Sequence, residues 1–497
     1  EKEGFRVFHE HGWILKRAAL SAERPALIDV HSETCWTYVD LKNRITRWAS
    51  FFQAQGYARG ERIAVYSPNS PELFAVLFAC GLQGLIYVPL NWRLSQFELQ
   101  SLLDDSAPAL LLFHDDYEGR IGGLNVKDSI SLSVIETVSA SANWQPINQG
   151  NRSDTWMIIY TGGTTGLPKG VMLSHDAVNW NALNTIASWG LSGRDTTINY
   201  MPLFHTGGLN ALCLPLLMAG GTVVVGNQFE PTEALMATDK YEATISLFVP
   251  TMYQLMTGTR YFRQSSFPSM DVFLSGGAPC PQTVYHSFRE KGLRFKEGYG
   301  LTEAGPNNFF ITPEVATGKI GSVGKSMLFN EVQVLDEEGN RCAAEEIGEL
   351  YVKGPHVFTG YWNKPSETGE AFRDGWLRTG DLAKVDRDGD AYIVGRKKDM
   401  IITGGENVYP QEVEQCLITC SGVREAAVVG TEDDVWGEKV VAFVTIGEDY
   451  TVDGEMLIAH CRGFLASYKI PKQFIIVSEL PKTHVGKIDK NELQRLA

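Results

Sequence analysis

Glycine, threonine and a single lysine are concentrated in Tyr160-Thr-Gly-Gly-Thr-Thr-Gly-Leu-Pro-Lys-Gly170. Glycines let backbone N–H groups converge on an anion, hydroxyls add donors, and an ammonium adds charge. Thr161, Gly162, Gly163, Thr164, Thr165, Gly166 and Lys169 supply all three, a combination suited to the phosphates of a nucleotide. The segment is not a Walker A loop, because Pro168 rather than glycine precedes the lysine and no helix pattern follows. Apolar runs on either side, Trp156–Tyr160 and Val171–Leu173, predict a loop between two strands. A flexible surface turn is the alternative for any one such run. Further motifs downstream weigh against it.

Those motifs are Glu297-Gly-Tyr-Gly-Leu-Thr-Glu303, Gly375-Trp-Leu-Arg-Thr-Gly-Asp381, Gly395-Arg-Lys-Lys-Asp-Met-Ile-Ile-Thr-Gly-Gly-Glu-Asn-Val-Tyr-Pro410 and Pro481-Lys-Thr-His-Val-Gly-Lys487. With the first loop, and in this order, they closely resemble the adenylate-forming superfamily of acyl-CoA synthetases, peptide-synthetase adenylation domains and luciferases. The resemblance runs from about Trp36 to the C-terminus. It departs at Gly162, where the family usually has serine; one phosphate-contacting hydroxyl is missing while the backbone N–H remains.

The resemblance implies an α/β fold: a large multi-layer N-terminal domain that binds AMP and the acyl group, and a small mobile α+β C-terminal domain. It also implies ATP-dependent joining of a carboxylic acid to coenzyme A, with Mg²⁺. The carboxylate would attack the α-phosphate of ATP, releasing pyrophosphate, and the acyl-adenylate would then pass its acyl group to the thiol, releasing AMP. The first transition state gathers negative charge on phosphate oxygens, which donors or a metal must offset.

By that resemblance Lys487 contacts the carboxylate and α-phosphate during adenylation, and Thr302 donates to the same phosphate. Glu303 is the magnesium ligand, in keeping with the preference of Mg²⁺ for one or two carboxylates plus phosphate oxygens and water. Tyr299, between Gly298 and Gly300, lies against adenine, with Gly276-Gly277-Ala278-Pro279 as the opposite wall. Asp381 and Arg396 address the ribose. His205 stands beside the acyl pocket, with Gly276 and Leu301. Amino-acid-activating relatives carry aspartate at the His205 position to pair with an α-ammonium, so amino-acid activation is disfavoured. Gly404, Gly405 and Glu406 would line the CoA side, and Lys398 is the hinge residue. Each assignment has a plain alternative: a solvated lysine, a helix start at Thr302, a turn aspartate, a core histidine bonded to backbone.

The chain has 497 residues, which predicts two to four domains, and 44% hydrophobic content, ample for a core. Its formal charge of −15 argues against general affinity for nucleic acid or anionic membranes. The eight cysteines include no Cys-x-x-Cys pair and read as buried small hydrophobes. Glu1-Lys-Glu-Gly-Phe5 has no apolar core of signal-peptide type, and no run reaches the roughly 18 apolar residues of a membrane span. A cytoplasmic enzyme with no integral membrane segment is expected, acting on small molecules and open to homodimer formation.

Alternation of Arg62–Tyr66 (strand), Pro71–Gly81 (helix ending at glycine) and Leu85–Leu90 (strand) predicts a crossover with parallel pairing. Gly220–Val225, Ala243–Phe248 and Val272–Leu274 continue the pattern as strands. The predicted division is 1–395 for the large domain, 396–399 for the hinge and 400–497 for the small domain. In the last, Pro410 starts a helix with Val413, Cys416, Leu417 and Cys420 on one apolar face, and Val428–Val429, Val440–Ile446 and Phe474–Val477 read as strands.

The leading functional expectation is a CoA ligase for a medium- or long-chain fatty acid, since Ala211–Leu217 and Phe248–Met256 fit a fatty chain, although both also fit a core. An aromatic acid of the o-succinylbenzoate type is the runner-up. An adenylation enzyme loading a separate carrier protein is the alternative from another class, because no carrier segment follows Lys487 before Ala497. A luciferase-like oxygenase is third.

Overall fold

Strand-forming runs and helices alternate through the first three hundred residues, and this alternation builds two sheets. The computed structural model describes residues 12–141, 144, 146, 151–161, 168–433, 436–447, 450–483 and 487–497. In the first sheet the order is Gly360–Tyr361, Lys169–Ser174, Thr155–Thr161, Ile86–Leu90, Arg62–Tyr66, Leu110–Phe113 and Ser129–Ser131. Ala64 pairs with both Val88 and Leu111 in parallel register, as the crossover pattern predicts. The glycine-rich segment does join two antiparallel strands, with Thr161 opposite Lys169.

The first crossover helix runs Pro71–Gln83, two residues beyond its expected end, and stops on Gly84 in the left-handed conformation. Gly81 is therefore not a stop signal. A Cβ there would lie 2.7 Å from Trp156 Nε1, so glycine is needed for the helix to approach the sheet.

The second sheet has the order Phe295–Glu297, Val272–Ser275, Ile245–Phe248, Thr196–Asn199, Thr222–Val225, Pro25–Asp29 and Cys35–Thr37. All its neighbours are parallel except the last pair. Leu212, Cys213, Leu214, Leu216 and Leu217 are packed in the main core, and Phe248, Tyr253 and Met256 in a second cluster with Phe273 and Phe288. A third, antiparallel sheet carries Trp376–Val385 beside Ala391–Arg396.

Beyond Lys397–Asp399, a single 3₁₀ turn, lies a five-stranded sheet in which Val423–Asp433 and Gly437–Ile446 form a long hairpin joined in parallel by Gln473–Ile476. The helix Pro410–Ile418 packs Val413, Cys416 and Leu417 on it, and Cys420 follows them into the same cluster. That cluster draws only on residues between Ile401 and Phe474. Six of the eight cysteines are buried, Cys342 is partly so, and Cys35 is exposed. Among the described residues no helix is long and apolar enough to cross a membrane.

Candidate active site

In an open parallel sheet the crevice outside the carboxyl ends of the strands receives the loops. Three strands of the second sheet deliver candidate residues there. Thr196–Asn199 leads to His205, Val272–Ser275 to the turn Gly276–Pro279, and Phe295–Glu297 to Gly298, Tyr299, Gly300 and Leu301. Thr302–Ala304 then forms a 3₁₀ turn, so a helical start and a donor hydroxyl coexist at Thr302. Glu297 has a role that its sequence motif did not reveal. Its buried carboxylate accepts from Tyr285 Oη at 2.6 Å and from the Cys280 N–H at 3.1 Å, anchoring the end of the Gly276–Pro279 turn. Burial pushes its pKa up to about 7.

Across the crevice, antiparallel register places Asp381 opposite Arg396. Arg396 Nε meets Asp381 Oδ1 at 2.7 Å, and Tyr299 Oη donates to Asp381 Oδ2 at 2.5 Å. One carboxylate thus joins the residue expected against adenine to both residues expected at the ribose. Burial raises the pKa of Asp381, against the opposing pull of Arg396, Tyr299 and Lys487.

Lys487 comes from the far end of the chain. Its carbonyl accepts from the Thr483 N–H at 2.7 Å, closing a small hairpin whose tip, including His484 and Gly486, lies outside the described residues. The residue is solvent-accessible, yet the protein around its ammonium removes enough water to lower its pKa, and the nearby Arg396 cation lowers it further while Asp381 opposes. The same ammonium acts electrostatically on His205. Burial, Lys487 and Arg93 together bring the His205 pKa down to about 3. A neutral imidazole follows, and its buried Nε2 has no hydrogen-bond partner. The alternative of a core histidine tied to backbone through that nitrogen is not what the structure contains.

Glu303 lies behind this group. Tyr361 Oη donates to Glu303 Oε1 at 3.0 Å, and burial raises the carboxyl pKa. Lys169 Nζ stands 5.0 Å from the centre of the Tyr361 ring. Thr161 Oγ1 reaches the Lys169 carbonyl at 3.5 Å. Gly162, Gly163, Thr164, Thr165 and Gly166 lie outside the described residues. A partly desolvated carboxylate next to the phosphate-side lysine suits a hard cation shared with phosphate oxygens. The Asp386, Asp388 and Asp390 cluster does not, because Lys319 Nζ already bonds all three, at 2.7, 2.8 and 2.6 Å.

Gly404, Gly405 and Glu406 are elsewhere. The two glycines, with φ of 59° and 83°, make the two-residue turn between Ile401–Thr403 and Glu406–Val408, where left-handed backbone is required. The turn rests on Trp436, whose carbonyl accepts from the Gly404 N–H at 2.8 Å. Lys398 is exposed in the 3₁₀ turn, while its neighbour Lys397 bonds Glu349 at 3.1 Å. Sequence reasoning missed Tyr361 and Arg93. Neither lies in a phosphate-type motif, and only the pairing of Gly360–Tyr361 with the Lys169 strand brings Tyr361 in.

The fold and the crevice define an enzyme that activates acids with a nucleotide. The sequence matches the family "AMP-binding enzyme" over residues 14–362 and "AMP-binding enzyme C-terminal domain" over residues 412–487. It is 38% identical over 483 residues to a feruloyl-CoA synthase of Amycolatopsis sp, covering 97% of this chain and 98% of that one. A long-chain-fatty-acid–CoA ligase of Mycobacterium tuberculosis is 32% identical, with 97% of each chain covered. The solved structure of o-succinylbenzoate CoA synthetase from Bacillus subtilis with its acyl-adenylate intermediate superposes with a TM-score of 0.89 at 32% identity, covering 97% of this chain and 98% of that one. The chain belongs to the AMP-binding, adenylate-forming enzyme family, and within it is an acid–CoA ligase.

Proposed function

We propose that the protein activates an aromatic carboxylic acid with Mg·ATP and transfers it to coenzyme A. The observation that carries the adenylation step is the electrostatic convergence of Lys487 with Asp381, Arg396 and His205, drawn from three separate stretches of the chain. Lys487 offers a cation where charge develops on the α-phosphate and the attacking carboxylate. Tyr299 and the Gly276–Pro279 turn hold adenine, and Asp381 with Arg396 holds the ribose. Glu303 holds Mg²⁺, which supplies charge neutralisation at the phosphates when bound. His205, neutral and unpaired, faces the acyl group.

An aromatic acid is preferred to a fatty acid because much of both runs that favoured a fatty chain, Leu212, Cys213, Leu214, Leu216 and Leu217 in one and Phe248, Tyr253 and Met256 in the other, is built into core packing. The 38%-identical feruloyl-CoA synthase supports the same choice. A fatty acid is the second reading, supported by the 32%-identical long-chain ligase. On this proposal residues 1–395 bind nucleotide and acid, 396–399 turn as a hinge, and 400–497 present Lys487 in one arrangement and Gly404–Glu406 in the other. The test is pyrophosphate release across hydroxycinnamates, arylacetates, benzoates and fatty acids, followed by thioester formation with free CoA. Turnover confined to fatty acids would overturn the aromatic assignment; thioester formation only on a carrier protein would overturn CoA as acceptor.

A further inference from the structure

Lys169 and Glu303 carry opposite charges on the two sides of the phosphate region, yet among the described residues they are not ion-paired with each other. One side chain stands between them. The Tyr361 ring lies under the Lys169 ammonium, 5.0 Å from its centre, and the hydroxyl of that ring donates to Glu303 Oε1 at 3.0 Å. The phenol is fixed from several directions. Tyr361 is the antiparallel partner of Val171, two residues along the strand that begins at Lys169. Its N–H is held by Thr368 Oγ1 at 2.9 Å, and Phe358 packs edge-on against its ring at 4.9 Å. The Phe358 N–H in turn donates to the Glu303 carbonyl at 2.8 Å.

Resting on the nucleotide reading above, we infer that Tyr361 is a positioning residue that keeps Lys169 and Glu303 apart and aims each at the metal-bound triphosphate. A cation over an aromatic face is attracted without being neutralised, and a carboxylate that accepts one hydroxyl keeps lone pairs for a metal. Without the ring the two side chains would close into a direct salt bridge, withdrawing the lysine from phosphate and the carboxylate from the cation.

Two variants separate the functions of the ring and the hydroxyl. Tyr361→Phe keeps the spacer and loses the donor; Tyr361→Leu loses both. The measurement is calorimetric binding of a non-hydrolysable ATP analogue with and without Mg²⁺, which needs no turnover. Groups that orient metal ligands typically contribute 10–100-fold in metal affinity, so Tyr361→Phe is expected to reduce the Mg²⁺-dependent tightening by roughly tenfold or more. Its Mg²⁺-free affinity should stay at the parent value. Tyr361→Leu should weaken analogue binding even without Mg²⁺. In a Glu303→Gln background, Tyr361→Phe should add nothing further to the loss of Mg²⁺ dependence, whereas a purely structural role would add its effect regardless. Parent-like Mg²⁺ enhancement in Tyr361→Phe would overturn the inference alone. A parent protein that binds no ATP analogue would overturn the nucleotide reading and this inference with it.

Discussion

Truncation of Lys487 to alanine should divide the two half-reactions. The ammonium is within electrostatic reach of Asp381, Arg396 and His205, and its pKa is lowered mainly by loss of water around it. A donor in such a setting interacts strongly with developing charge. Removal of one preorganised donor typically costs about 10²–10³ in rate, equivalent to about 2.7–4 kcal/mol of barrier. That loss should fall on acyl-adenylate formation, measured by acid-dependent exchange of labelled pyrophosphate into ATP. Thioester formation from a supplied acyl-adenylate and CoA should change by less than about tenfold, since on the proposed domain alternation Lys487 is turned away from the α-phosphate when the thiol attacks and AMP leaves.

Two indirect explanations can be separated. Thr483 bonds the backbone carbonyl of Lys487, so truncation leaves that hairpin contact in place and thermal stability should be unchanged. His205 loses one depressing charge, but its burial, the larger cause, remains, and the imidazole stays neutral at pH 7. The pH profile gives a further check. A lysine with a lowered pKa loses its proton as pH rises through that value, so adenylation should decline on the alkaline side before an unperturbed lysine would titrate, near about 10.4. Lys487→Arg, charged at all accessible pH, should abolish that decline even where its rate is low. Equal loss in both half-reactions for Lys487→Ala, or an alkaline limb retained by the arginine variant, would refute the assignment.

Three other perturbations address separate parts of the site. Glu303→Gln should raise the Mg²⁺ concentration needed for half-maximal pyrophosphate exchange by roughly tenfold or more, because a neutral amide is a weaker ligand for a hard cation; unchanged metal dependence removes Glu303 from the metal site. His205→Asn should alter acid selectivity without shifting any limb of the pH profile between pH 5 and 9, as judged from kcat/KM, because a group with a pKa of about 3 is already deprotonated throughout. Lys398→Pro should depress thioester formation far more than adenylation. Proline at 398 disfavours the helical conformation of Lys397, which the observed 3₁₀ turn uses, so a loss of a few-fold in adenylation is expected too. A ratio of half-reaction rates equal to that of the parent ends the hinge assignment.

Three strands of the second sheet, within Gly220–Val225, Ala243–Phe248 and Val272–Leu274, were legible as short apolar runs, and the alternation around Arg62–Tyr66 and Leu85–Leu90 foretold the parallel pairing found in the first sheet. Helix ends were less so. Gly81 was expected to stop a helix, but its missing side chain serves contact with Trp156, a partner 75 positions away in the sequence. The run Ala211–Leu217 was open in sequence for a similar reason: apolar composition is the same for a pocket wall and for a core helix, and it is the fold that places Leu212, Cys213, Leu214, Leu216 and Leu217 in the main core cluster. The motif residues Tyr299, Asp381, Arg396 and Lys487 do converge, and for them the order of motifs was enough. Tyr361 was invisible because a tyrosine on a two-residue edge strand has no pattern of its own; its meaning comes from register against the strand of Lys169.

Net charge explains why convergence of this kind is needed. A chain at −15 repels polyanions at long range, so it binds a triphosphate only by concentrating cations locally. Lys169, Arg396 and Lys487 come from three parts of the chain, and each lies near a counter-group: the Tyr361 face for the first, and the Asp381 carboxylate for the other two. Packed together without these groups the cations would repel one another, as the lowering of the Lys487 pKa by Arg396 already shows. On the proposed roles Asp381 would serve twice, offsetting two cations and presenting oxygen to the ribose. Its loss would weaken the ribose contact and leave the two cations unneutralised. An asparagine at 381 would keep the hydroxyl contact and lose the charge, so the salt dependence of ATP binding in Asp381→Asn separates them. If the electrostatic role holds, the variant's two unneutralised cations should bind ATP with a steeper salt dependence than the parent; an unchanged slope would leave Asp381 only the ribose contact.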